Sequence, residues 1–186
     1  LCFAPQFTSY DQTGLSLSIA GVTNPYYAIS GNSSEFSEIS TGTVAVAAKV
    51  SQAIYFGKPS QTGDQIKMRL QLNPTGLLAL DLAGKYSVVT FLGDQQKEVF
   101  TLQQGLINNL NLLNLFKSGG IQTLTFDTTQ TFDRVEIQVG SLVNASVIPA
   151  IRLYDVKRVN TTCPESSGVS PFTTPVCATE LLDASN

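Results

Sequence analysis

The sequence contains no histidine, no tryptophan and one methionine among its 186 residues. Without histidine, Ser-His-Asp and Cys-His triads are excluded, as are zinc and iron sites built on histidine. Without tryptophan, any carbohydrate site must stack the sugar on tyrosine or phenylalanine, or depend on hydrogen bonds. These absences argue against catalysis, so we expect the protein not to be an enzyme.

Charged residues are also scarce, at 13% of the chain, against about 25% in typical globular domains. Hydrophobic residues make up 42% of the chain, which is enough to bury a core and argues against disorder. The net charge of −3 provides no basic surface for a phosphate backbone. No apolar stretch reaches the roughly 18 residues of a membrane-spanning helix. We therefore expect neither a nucleic acid partner nor membrane insertion.

The three cysteines, Cys2, Cys163 and Cys177, all lie near the ends of the chain. Their spacing offers no set of four zinc ligands, and a catalytic thiol would lack an activating histidine. A terminal disulfide fits better, and it implies an oxidising, extracellular location such as the cell surface. Two pairings are open: Cys2–Cys163, our first choice, would join the domain ends, whereas Cys163–Cys177 would close a short loop.

The composition divides the chain into three parts. Residues 1–159 form one predicted domain, because they show neither an internal repeat nor a linker. Residues 160–176 are rich in Thr, Ser, Pro and Gly and are typical of a linker. Residues 177–186 are the predicted start of a following module or a tail. Val176-Cys177-Ala178 repeats the apolar-Cys pattern of Leu1-Cys2-Phe3, which is either a tandem period or a chance match.

Short apolar runs alternate with turn signals along residues 1–159, which is typical of an all-β sandwich. Counting these runs predicts eight or nine strands, the clearest at 65–72, 133–139 and 147–156, with a hairpin around Gly93-Asp94. Leucines near helical spacing from Leu106 to Phe116 predict one short helix or helical loop. Six aromatic residues in the predicted strands are expected in the core: Tyr55, Phe56, Phe91, Phe100, Phe126 and Phe132.

The segment NPYYAISGNSSEF from Asn24 to Phe36 resembles the opening of galactose-binding-like (discoidin-type) jelly-roll domains. Those domains carry an Ala-x-Asp-Gly-Asn stretch followed by Thr and an aromatic residue, usually Trp. FDRVEIQVGSL at 132–142 and IRLYDV at 151–156 resemble the closing strands of that fold. From Gly21 to Val159 the closer resemblance is to modules of large surface adhesins of gliding bacteria with type IX secretion. It implies a jelly-roll β-sandwich.

The same resemblance suggests a metal, with departures from the family pattern. Ser30 stands where the family usually has Asp, and Phe36 stands where discoidin domains usually have Trp. In the ligand-binding relatives that Asp loop often helps to hold a structural calcium ion. Calcium takes about six to eight oxygen ligands, and backbone carbonyls together with Glu35 or Glu38 could supply some of them. Calcium is therefore a possible cofactor.

Tyr26 and Tyr27 lie in the predicted loop, close in sequence to Asn32 and Glu35. Aromatic faces combined with amide and carboxylate groups are what sugar recognition uses. We therefore predict Tyr26, Tyr27, Asn32 and Glu35 as ligand-binding residues. The alternative is that one tyrosine packs beneath the loop and that the glutamates are solvated.

These observations favour an extracellular adhesin or surface-filament module that acts as a structural spacer and binds carbohydrate at its loops. The expected partners are neighbouring modules of the same surface protein, glycans and other cell-surface proteins. The alternative is a self-assembling fibre subunit whose contacts are only between proteins.

Overall fold

The computed structural model describes residues 2–16, 20–42, 45–72, 84–101, 120–141 and 150–160. These ranges contain eleven β-strands and a short 3₁₀ helix, Pro25–Ile29. The strands are β1 (Cys2–Phe3), β2 (Phe7–Ser16), β3 (Gly21–Thr23), β4 (Ser37–Ser40), β5 (Ala45–Tyr55), β6 (Asp64–Leu72), β7 (Tyr86–Leu92), β8 (Gln95–Thr101), β9 (Gln122–Asp127), β10 (Arg134–Gly140) and β11 (Ala150–Asn160). Across these ranges, no helix has the length and hydropathy that a membrane crossing requires.

The strands form two antiparallel sheets whose facing sides enclose one hydrophobic core. One sheet has the order β3-β4-β11-β6-β9, with β1 also paired to β11, and the other has the order β2-β5-β10-β7-β8. The predicted all-β jelly-roll sandwich is confirmed. The described residues alone hold more than the expected eight or nine strands, because β1, β3 and β4 are too short for their alternation to show in the sequence.

Strict alternation explains why β6 and β10 form the centre of the core. In β6, Ile66, Met68, Leu70 and Leu72 are buried between the sheets, whereas Lys67 is exposed. In β10 the buried set is Val135, Ile137 and Val139. Both inward-facing sets are those that the sequence predicts, because side chains of successive strand residues point to opposite faces.

Other predicted elements differ in their bounds. Alternation from Thr13 to Ile19 predicts a strand there, but β2 already begins at Phe7, because its polar first half, including the buried Thr8, gives no apolar alternation. The β-branched and Ala-rich stretch from Thr43 to Phe56 predicts either a bend with two edges or one long strand, and the structure has the single strand β5 within it. A register shift between Leu153 and Asp155 leaves both Leu153 and Tyr154 of β11 buried. The predicted helix Leu106–Phe116 lies outside the described residues.

Four of the six aromatic residues expected in the core are buried there: Phe56, Phe100, Phe126 and Phe132. The prediction is wrong for Tyr55 and Phe91, which are partly exposed. Their neighbours Ile54 and Thr90 are buried, so alternation turns Tyr55 and Phe91 to the outer face of the five-stranded sheet. There the Arg134 guanidinium lies 5.6 Å from the Tyr55 ring centre and 4.2 Å from that of Phe91.

Candidate functional site

The 3₁₀ helix Pro25–Ile29 presents two tyrosines to solvent. Asn24 adopts a left-handed backbone conformation (φ 50°, ψ 54°), which asparagine tolerates better than most residues. Pro25 then supplies a φ angle suited to a first helical position, and the Tyr27 N–H donates to the Asn24 carbonyl at 3.0 Å. Within the helix Ala28 is buried, whereas Tyr26 and Tyr27 are 61% and 39% exposed. The alternative in which one tyrosine packs under the loop is therefore wrong.

A single buried amide, that of Gln52 in β5, holds this helix in place. Its Nε2 donates to the Pro25 carbonyl at 2.8 Å and to the Thr8 hydroxyl oxygen at 3.0 Å. Its Oε1 accepts the Ser37 hydroxyl at 2.6 Å. Thr8 belongs to one sheet and Ser37 to the other, so Gln52 fixes the helix relative to both. Buried amides are stable only when such partners are present.

A third exposed tyrosine, Tyr10, lies at the same edge of the sandwich. Tyr10 is 57% exposed, and its Cα partner across the strands is Gln52. Its strand β2 is an edge strand that also contacts the 3₁₀ helix. We call Tyr10, Tyr26 and Tyr27 the tyrosine edge. Tyr10 is absent from the predicted ligand-binding residues, although an aromatic residue within a polar run is a signal of an exposed aromatic side chain.

The other predicted ligand-binding residues gather around Ser30. The Ser30 Oγ lies 3.2 Å from the Tyr27 carbonyl oxygen and 3.1 Å from Glu35 Oε2, so its one hydrogen serves either acceptor. The Asn32 N–H donates to Ser30 Oγ at 3.2 Å, and Asn32 Oδ1 accepts the Ser34 N–H at 3.0 Å. The structure thus brings Tyr27, Asn32 and Glu35 together around one hydroxyl.

The placement of Glu35 and Glu38 does not fit a calcium ion. Glu38 accepts a charge-assisted hydrogen bond from Arg152 Nε at 2.8 Å, which places a positive charge beside that carboxylate. Glu35 faces Ser30 instead. Over the described ranges, no group of three or more Asp, Glu, His or Cys residues is arranged to hold a metal. Calcium requires about six to eight oxygens, and this donor set does not provide them.

The first and last described strands lie side by side. In the antiparallel pairing of β1 with β11, Cys2 lies opposite Val159. Cys163 and Cys177 lie outside the described residues, so the Cys2–Cys163 disulfide stays a prediction. Cys163 follows Val159 by four residues, a length of chain that reaches up to about 14 Å. Cys163 is therefore within reach of Cys2.

No protein-family model and no curated protein matches this chain. Among solved structures, it is similar to a family 32 carbohydrate-binding module of Streptococcus pneumoniae EndoD, with 14% identity, a TM-score of 0.44 and coverage of 85% of this chain and 98% of that one. It is also similar to such a module from Clostridium perfringens in complex with GalNAc-β-1,3-galactose, with 13% identity, a TM-score of 0.43 and coverage of 82% and 95%.

A third similar structure is the family 32 module of AlyQ in complex with 4,5-unsaturated mannuronic acid. It shows 11% identity and a TM-score of 0.43, with coverage of 85% of this chain and 97% of that one. Identities and TM-scores at this level assign neither a family nor a ligand to this chain.

Proposed function

We propose that this chain is a non-catalytic carbohydrate-binding module of an extracellular surface adhesin, with its glycan site at the tyrosine edge. The observation that carries the proposal is the exposure of three tyrosines, Tyr10, Tyr26 and Tyr27, at one edge of the sandwich. Exposed aromatic residues are individually common, but these three lie on two neighbouring elements, β2 and the 3₁₀ helix, which Gln52 joins. Their rings offer apolar faces for stacking, and their hydroxyls offer hydrogen bonds.

The polar groups near the tyrosine edge are of the kind that bind a sugar. The Glu35 carboxylate accepts hydrogen bonds, the Ser30 hydroxyl both donates and accepts, and the Asn32 amide nitrogen donates. A sugar presents hydroxyl groups that donate and accept in the same way. Because Gln52 holds the helix from both sheets, little ordering is needed on binding, which favours affinity.

The adhesin setting rests on the resemblance of residues Gly21 to Val159 to modules of large surface proteins. Neighbouring modules of the same protein and glycans of other surfaces are the proposed partners, and the cell surface is the proposed location. Immunolabelling of intact cells tests this part: labelling that requires permeabilised cells would contradict it.

The carbohydrate site is tested by screening the chain on a glycan array, with and without calcium, and titrating the strongest glycan by calorimetry. Replacing Tyr26 or Tyr10 by alanine removes a stacking surface and should weaken binding about 5- to 30-fold, the equivalent of roughly 1 to 2 kcal/mol. Because the loop carboxylates do not fit a calcium site, calcium should leave the affinity unchanged.

Phe7→Ala is the matched control, since Phe7 is also an exposed aromatic residue of β2, at 50%, but packs beside Tyr55 on the outer sheet face. It should leave the affinity for the array glycan unchanged. Absence of binding to every glycan, with and without calcium, would eliminate the carbohydrate role and leave only the structural one.

A further inference from the structure

The outer face of the five-stranded sheet carries an ordered pattern of side chains. Strand register places a row of mainly large residues side by side across all five strands: Phe7, Tyr55, Arg134, Phe91 and Gln96. Further along the same strands the outward residues become small or polar, including Ser51 and Ala53 of β5. The face therefore has a raised bank along one side and a lower region beside it.

A groove of about 210 Å³ lies in that lower region. Every strand of the sheet contributes to its lining, which consists of Asp11, Thr13, Lys49, Ser51, Phe91, Gln96, Glu136 and Gln138. Four spacings between neighbouring strands span about 19 Å, so the backbone positions that line the groove extend over about that distance. Ser51 faces outward yet is buried, because longer side chains rise on either side of it.

Some polar side chains of the groove are held by hydrogen bonds to their neighbours, and others have no such partner among the described residues. Ser87 Oγ–H donates to Gln138 Oε1 at 3.2 Å, and Gln138 Nε2 donates to Glu136 Oε2 at 3.1 Å, which holds both side chains in place. Asp11, Lys49 and Gln96 form no side-chain hydrogen bond or ion pair with another described residue. Within the described ranges, their donors and acceptors are open to a ligand.

The charged side chains around the groove indicate what charge a ligand there should carry. Asp11 and Glu136 contribute two carboxylates, and Lys49 in the lining and Arg134 beside Phe91 contribute two cations, so the groove favours neither sign of charge. Amides and hydroxyls supply donors and acceptors in similar number, which matches a ligand whose hydroxyls do both. A peptide that extended the sheet would bind at an edge strand and not on this face.

We propose that this groove is a second glycan site, which binds a neutral oligosaccharide chain lying across the strands from β2 to β8. The inference takes its ligand class from the proposed function but does not depend on the tyrosine edge. Phe91 provides an apolar wall at one end, and its ring is held from the other side by Arg134 at 4.2 Å. The module would then hold two glycans on separate surfaces.

The test is calorimetry with neutral hexasaccharides of glucose, mannose, xylose and N-acetylglucosamine, each beside its disaccharide. At least one hexasaccharide should bind about tenfold tighter than its disaccharide, a difference of about 1.4 kcal/mol, because only the longer chain spans the groove. Lys49→Ala and Gln96→Ala each remove a groove hydrogen bond and should weaken that binding at least about fivefold.

Lys67→Ala and Gln95→Ala are the matched controls, since both side chains lie outside the groove lining, Lys67 on β6 and Gln95 beside Gln96 on β8. Far-UV circular dichroism verifies that each variant is folded. The controls and Tyr26→Ala should leave hexasaccharide affinity unchanged.

Two results would contradict the proposal that the groove binds an oligosaccharide. One is that no hexasaccharide binds the unmodified chain below about 1 mM. The other is that hexasaccharide binding survives both groove substitutions but is lost in Tyr26→Ala. That result would place the oligosaccharide at the tyrosine edge and support the proposed function alone. If the groove substitutions abolish hexasaccharide binding while Tyr26→Ala alters no glycan affinity, the groove is supported as a glycan site and the tyrosine edge is not.

Discussion

Removing the charge of Asp64 should destabilise the protein more than any surface substitution, because it leaves a buried arginine without a counter-ion. Asp64 is 1% exposed and Arg158 is 3% exposed, and Arg158 Nε lies 3.4 Å from Asp64 Oδ2. Arg158 Nη1 also donates to the Lys58 carbonyl at 2.6 Å. Its guanidinium lies 4.3 Å from the Phe3 ring centre and 5.4 Å from that of Phe56. Water has little access to this cation.

The substitution Asp64→Asn isolates the charge. Asp64 Oδ2 accepts the Gln61 N–H at 3.0 Å, and an asparagine side chain can keep that bond. Breaking a buried pair by removing one partner costs about 3–5 kcal/mol. Burial already lowers the pKa of Arg158 and Asp64 opposes that shift, so loss of Asp64 removes the opposing effect. For a chain of this length the expected fall in Tm is roughly 6 to 20 °C.

Urea unfolding followed by far-UV circular dichroism measures the loss, since the chain has no tryptophan for fluorescence. The double variant Asp64→Asn/Arg158→Met should lose less than Asp64→Asn alone, because it leaves no unpaired charge. Glu38→Gln is the matched control: its pair with Arg152 has side-chain exposures of 36% and 42% and should contribute about 0 to 1 kcal/mol. If Asp64→Asn costs no more than this control, the reasoning fails.

Two further outcomes follow from burial and from strand register. Burial raises the pKa of Tyr86 above the usual tyrosine value of 10.0, so the folded state keeps a proton that the unfolded chain loses. Stability should therefore be unaffected below pH 10 and fall by up to about 1.4 kcal/mol per pH unit above it. Urea titrations that give the same alkaline slope for Tyr86→Phe as for the unmodified chain would contradict this. Non-reducing peptide mapping should yield a Cys2–Cys163 peptide, and recovery of Cys163–Cys177 instead would rule out the pairing across the ends.

The parts of the fold that sequence predicted are those where burial follows strict alternation. From Ile66 to Leu72 in β6 and throughout β10 every second residue is apolar and buried, so Met68 and Ile137 could be placed in the core without a structure. The first half of β2 gave no such signal, because its inward residues include Thr8, which is polar and satisfied by Gln52 and the Ala53 carbonyl. The short strand β1 depends on a partner far along the chain, since it pairs with β11.

The candidate site was predictable in its composition but not in its geometry. Tyr26, Tyr27, Asn32 and Glu35 are close in sequence, so a shared loop could bring them together. Tyr10 joins them only through its pairing opposite Gln52 in β5, a contact between residues far apart in the sequence. The groove has the same origin, since its lining comes from five separate strands and no local pattern marks it.

The pairing of β1 with β11 has a mechanical consequence for a module under tension. Cys2 lies opposite Val159, so the chain enters and leaves the sandwich at the same end. A force applied through both ends separates β1 from β11 one hydrogen bond at a time, and does not load the whole ladder at once. With two residues, β1 offers little resistance. A Cys2–Cys163 disulfide would carry that load through covalent bonds and keep the force off the β1–β11 hydrogen bonds.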